Sequence, residues 1–217
     1  MRKLPHLALY FLSAAFALAA DTSTFVTVDL SSKINTALDR SVLFQGEGHT
    51  NHLKELPAGR KSYGDVPFDV AGTIQLDSAQ LHNLGKDFPR KVTGIELNQL
   101  ATKIHLLHGT AWRDTPGRRL ASLVLNYEDG STATLDVIYA MHVLDWWELN
   151  PEDVKDKDSA IVWRGKNPQA SAANATLRLY RTTFVNPKPG LKIKSIDYVS
   201  KGSVSAPFMV GLTLETQ

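Results

Sequence analysis

The side chains best suited to chemistry in this sequence are its tryptophans. Three of the four positions they occupy lie at the ends of strand-like runs: Trp112 after His108-Gly109-Thr110-Ala111, Trp146 leading the pair Trp146-Trp147, and Trp163 in Val162-Trp163-Arg164-Gly165. A ring in such a place offers a flat apolar face beside polar neighbours, which suits a pyranose with its C–H faces and hydroxyl edges. Arg113 and Asp114 follow Trp112, Asp145 precedes Trp146, and Arg164 follows Trp163, so hydroxyl-bonding groups accompany each ring. The candidate binding face is therefore Trp112, Arg113, Asp114, Asp145, Trp146, Trp147 and Arg164. The competing reading makes the rings lids on a core. On a regular strand Trp146 and Trp147 point to opposite faces, so at least one is structural. Trp163 alternates with Ile161 on the inward set, which turns Arg164 outward.

Covalent and metal chemistry find less support. Cysteine is lacking throughout, which excludes disulfides, thiol catalysis and thiolate metal sites. There is no Gly-x-Ser-x-Gly elbow, no phosphate-cradling glycine loop and no His-Glu-x-x-His pair. Asp145 and Glu148 flank the tryptophan pair as an acid and base would in a glycan cleft, but such chemistry depends on carboxyl separation. The reading adopted is non-catalytic, with no catalytic residue and no metal ligand assigned. His105 and His108, three apart on a strand, face opposite ways and make a poor ligand pair. Glu47, His49 and His52 share a glycine-containing loop of unspecific spacing.

The elements that must position these residues have a period of two. Leu123, Leu125 and Tyr127 alternate with polar or small residues, Asp129-Gly130 turns the chain, and Leu135, Val137 and Tyr139 resume the alternation. Similar runs cover 25–30, 66–76, 92–97, 103–108, 160–163, 176–184, 193–199 and 207–214. Ser31 and Ser78 are N-cap candidates for helical turns over 31–40 and 78–84. Residues 150–159, dense in charge and poor in apolar side chains, read as a loop. The pattern predicts an all-β class, a single β-sandwich with one or two short helical turns.

At the N-terminus Arg2 and Lys3 precede an apolar run over 4–18, and Ala17-Leu18-Ala19-Ala20 supplies small residues for cleavage. Residues 1–20 are read as a signal peptide and 21–217 as one sandwich domain, exported to a bacterial periplasm or beyond. The apolar run is shorter than the roughly 20 residues a spanning helix needs. Removing Arg2 and Lys3 takes Lys+Arg from 24 to 22 against 22 Asp+Glu, so the remainder is nearly neutral. No basic run is longer than a pair such as Arg90-Lys91 or Arg118-Arg119, which argues against nucleic acid as a partner.

Across roughly 25–214 the chain resembles the galactose-binding-like jelly-roll domains, among them carbohydrate-binding modules of the NPCBM type in exported bacterial proteins. The resemblance is carried by the order of 66–70, 74–76, 92–95, 104–112, Tyr127-Glu128-Asp129-Gly130, Asp145-Trp146-Trp147, Val162-Trp163-Arg164-Gly165, 179–184, Asn186-Pro187, 193–197 and 207–214. It implies a glycan or glycoconjugate bound by loops at one end of the sandwich. It also allows a structural calcium, for which Asp29, Asp65 or Asp69 would supply oxygens. The leading expectation is an exported carbohydrate-binding module. The alternatives are an envelope protein-interaction domain with the tryptophans as anchors and, behind both, a glycoside hydrolase.

Overall fold

Thirteen strands, most of them at the runs expected from the sequence, form in a computed structural model that describes residues 24–40 and 50–216. They are β1 (Thr24–Thr27), β2 (Gly59–Tyr63), β3 (Val66–Val70), β4 (Ile74–Gln75), β5 (Lys91–Gln99), β6 (Lys103–Ala111), β7 (Arg119–Tyr127), β8 (Thr132–Ile138), β9 (Trp147–Glu148), β10 (Ser159–Gly165), β11 (Thr176–Val185), β12 (Ile193–Ser200) and β13 (Ala206–Thr216). Two five-residue helices, α1 (Ala79–Asn83) and α2 (Pro168–Ala172), complete the set with a 3-10 turn at Ser31–Lys33. The expected signal segment, Glu47 and His49 lie outside the described residues. Among the described residues no helix is long and apolar enough to cross a membrane.

The fold is an all-β sandwich of antiparallel sheets. The larger sheet runs β1-β13-β6-β11-β10, with β4 on β13 and β9 on β11; the smaller runs β5-β12-β7-β8. Their facing sides enclose one core, including Leu106, Tyr180 and Leu212 from the larger sheet and Leu123, Leu125, Ile196 and Tyr198 from the smaller. The β7–β8 turn forms at Asp129-Gly130, where Gly130 takes φ +82° and Asp129 Oδ1 accepts the Ser131 N–H.

A second core covers the other side of the larger sheet. Leu107, Leu177, Leu179, Phe208 and Val210 pack there against Leu53, Leu56, Tyr63, Phe68, Leu81 and Ala170. The hairpin β2–β3, the two helices and the segment after residue 50 thus add a layer that a two-sheet reading does not contain. The larger sheet is central, and its strand β13 is buried on both faces over all but its last residue. That is why 206–212 carries no polar side chain instead of alternating. Gly109 on β6 makes room for Phe208, because a Cβ there would stand 2.4 Å from the ring.

Helix ends follow local chemistry. Ser78 caps α1, its Oγ accepting the Leu81 N–H at 3.1 Å. The expected cap at Ser31 does not form; Asp29 Oδ1 instead accepts the Ser31 N–H, and only three residues coil. Helix α2 escapes a search for apolar periodicity, yet Asn167-Pro168 marks its start: Asn167 Oδ1 accepts the Ala170 N–H at 2.7 Å and Pro168 takes the first turn.

Candidate functional site

All four tryptophans pack against the outer core. Trp146 is 1% exposed and meets Phe208 edge-on at 5.6 Å, so it is a core residue and offers no binding face. Trp147 is half-buried beside it, its indole N–H donating to Asn51 Oδ1 at 3.1 Å. One ring of the pair, Trp146, is structural as expected, but both pack on the same core because β9 begins only at Trp147, after a turn in which Asp145 Oδ1 accepts the Trp147 N–H. Trp112 follows β6 with φ +65°, half-buried, and its carbonyl accepts the Ser205 hydroxyl at 2.6 Å. Trp163 lies over Gly165, whose added Cβ would come within 2.3 Å of the ring. A β-bulge between Ile161 and Trp163 breaks their expected alternation: Ile161 packs on the inter-sheet core while Val162 and Trp163 both pack on the outer one. The rings are a seam of the second core.

The polar candidates gather elsewhere, on the other face of β9–β11. Glu148, 10% exposed in its side chain, accepts two hydrogen bonds from Arg164, at 2.7 Å to Nε and 3.1 Å to Nη2. Arg178, 2% exposed, approaches the same carboxylate at 3.4 Å and also donates to the carbonyls of Asp145 at 2.9 Å and Glu152 at 3.0 Å. Its guanidinium lies 5.7 Å from the centre of the Tyr180 ring. Arg113 stands 3.8 Å from Glu152. Three sequence candidates, Arg113, Asp145 and Arg164, thus meet through Glu148, Glu152 and Arg178, of which Glu152 and Arg178 carried no local signal. Arg178 is named only by its depth, because in sequence it is one polar residue in the alternation of β11.

Beside this network a groove of about 420 Å³ is lined by Glu148, Pro151, Glu152, Asp153, Ala160, Ile161 and Arg164. Hydrogen bonds from Arg164, with the charges of Arg164 and Arg178, hold the Glu148 carboxyl below its usual range. Burial pushes Asp145 up instead, opposed by the Trp147 N–H and the nearby arginines. Asp114 belongs to the other side of the 112–118 loop, where its carboxylate accepts the Ser205 N–H at 3.2 Å and faces Arg118 at 3.7 Å.

His105 and His108 do face opposite sides of β6: His105 bonds Thr183 and Glu215 and packs on Phe25, while His108 bonds Thr182 and packs near Tyr180. The calcium candidates are spread: Asp29 accepts the Ser31 N–H, Asp65 sits in the β2–β3 turn, and Asp69 accepts the Thr27 hydroxyl. Among the described residues no group of three or more His, Asp or Glu side chains is arranged to hold a metal ion. Comparison with family models, curated proteins and solved structures finds no significant match to this chain.

Proposed function

We propose that this chain is an exported, non-catalytic carbohydrate-binding module that takes a glycan in the groove between Glu148 and Arg164. The observation that carries this reading is the lining: a fixed guanidinium–carboxylate fork and two further acids beside the apolar surface of Pro151, Ala160 and Ile161. Such a mixture matches a sugar ring, whose hydroxyls need oriented partners and whose C–H face needs apolar contact. Ile161 and Pro151 take the place of the tryptophan platform that the sequence suggested. The non-catalytic reading is supported by the locking of Glu148 between two arginines, which keeps it ionised and unfit to donate a proton. The packing of the tryptophans on the outer core takes the expected anchor from the glycan and protein-interface readings alike, so the groove lining is what supports the glycan.

The test is a glycan array probed with the purified chain and with Arg164→Ala, with and without calcium. Binding that falls about tenfold in the variant, the equivalent of one net hydrogen bond of roughly 1.4 kcal/mol, at unchanged thermal midpoint is the expected result. A folded wild-type chain that leaves the array blank overturns the proposal.

A further inference from the structure

At the same end of the sandwich, across the 112–118 loop from the groove, lies a cleft of about 580 Å³ lined by residues 115–119 and 201–203. No acid lines it, whereas Arg118, Arg119 and Lys201 do. Arg90 joins them: its guanidinium lies 3.3 Å from where a Cβ on Gly202 would stand. The backbone explains the convergence. In the order β5-β12-β7, three neighbouring antiparallel strands terminate together, with Arg90 just before β5, Lys201 just after β12 and Arg119 at the start of β7. Ser200 N–H bonds the Arg90 carbonyl at 2.9 Å and Lys201 N–H bonds the Leu120 carbonyl at 2.9 Å, so the three cations are held side by side. Two basic pairs that look unremarkable in sequence, Arg90-Lys91 and Arg118-Arg119, are brought to one sheet end.

Charge neutralisation is incomplete there. Arg118 faces Asp114 at 3.7 Å and Arg119 faces Asp136 at 3.0 Å, and both acids also accept bonds from other protein donors. The side chains of Arg90 and Lys201 have no hydrogen-bond or ion-pair partner among the described residues. Gathering four cations around one concavity in a nearly neutral chain raises the local potential and favours an anion. The hydroxyl of Thr115 borders the space and adds a neutral donor for an oxyanion with several acceptor oxygens.

We infer that this cleft binds the sulfate groups of an acidic polysaccharide. The anion rests on the cleft alone; the polysaccharide rests on the carbohydrate-binding reading. A nucleic acid fits less well, since no aromatic residue lines the cleft for base stacking.

The experiment compares the full chain with the double variant Arg90→Ala/Lys201→Ala, whose exposed side chains leave no broken pair behind. Binding of inorganic sulfate, heparin, desulfated heparin and phosphatidylglycerol vesicles is measured by titration. Wild-type chain is expected to bind sulfate and heparin, and to bind heparin about tenfold more weakly when salt rises from about 50 mM to about 500 mM. The variant is expected to lose sulfate binding and about tenfold or more in heparin affinity, with desulfated heparin bound weakly by both. Equal binding of sulfate and heparin by variant and wild type overturns the cleft as the site. Equal binding of heparin and its desulfated form overturns the anion while leaving carbohydrate binding standing. Sulfate binding without heparin binding overturns the polysaccharide, and vesicle binding lost in the variant without heparin binding assigns the cleft to a membrane instead.

Discussion

Arg164 and Arg178 share the carboxylate of Glu148, yet their settings predict opposite costs of removal. Arg164 is 55% exposed in its side chain, so Arg164→Ala should lower stability by under about 1 kcal/mol in urea denaturation. Arg178 is 2% exposed, and its loss strands the carbonyls of Asp145 and Glu152 while Glu148 keeps Arg164, so Arg178→Ala should cost about 2–5 kcal/mol in the same assay. The tryptophans divide in a related way. Trp146→Ala opens a cavity against Phe208 and should destabilise by about 3–5 kcal/mol. Trp112→Ala, which the sequence suggests would weaken glycan binding and leave the fold intact, should cost on the order of 2 kcal/mol through lost burial on the outer core. Undiminished stability in either tryptophan variant, read from its thermal midpoint, would return that ring to the surface.

At the scale of elements, the central position of the larger sheet governs what its strands tolerate. Phe208 from β13 lies across Gly109 of β6, leaving no space for a methyl group. Gly109→Ala should therefore destabilise by about 1–3 kcal/mol through overpacking, with a lowered urea midpoint as the readout. Three strands of the smaller sheet were legible because one face is largely polar: β7, β8 and β12 lie within a few residues of where alternation and turn signals put them. The β2 strand escaped because Gly59-Arg60-Lys61-Ser62 is exposed and carries no apolar period, so only its pairing with β3 defines it. The bulge at Ile161 escaped because one added residue reverses the facing of all that follow without altering composition.

For the whole molecule, two cores on a shared sheet bury polar groups that set its response to acid. His108 lies between the sheets, and burial drives its pKa from 6.5 down to about 3. Below pH 6.5 the unfolded chain takes up a proton at this position that the native chain refuses, so stability must fall as pH drops from about 6.5 toward about 3. His105 and His142, also lowered by burial, act in the same direction. Urea midpoints at pH 7 and pH 5 should show the loss, and His108→Gln should show less of it; an identical slope in the variant would remove His108 as a cause. The sequence by itself determined the all-β class, most strand positions, the Ser78 cap and the odd-spacing argument that separates His105 from His108, because period, turn residues and caps are local properties of the chain. Only the tertiary structure decided where the tryptophans go and which charges meet. The outer layer that covers the central sheet draws in the rings, and strand ends remote in sequence bring Arg90, Arg119 and Lys201 together. Burial and charge convergence are sums over distant segments, and no window of neighbouring residues contains them.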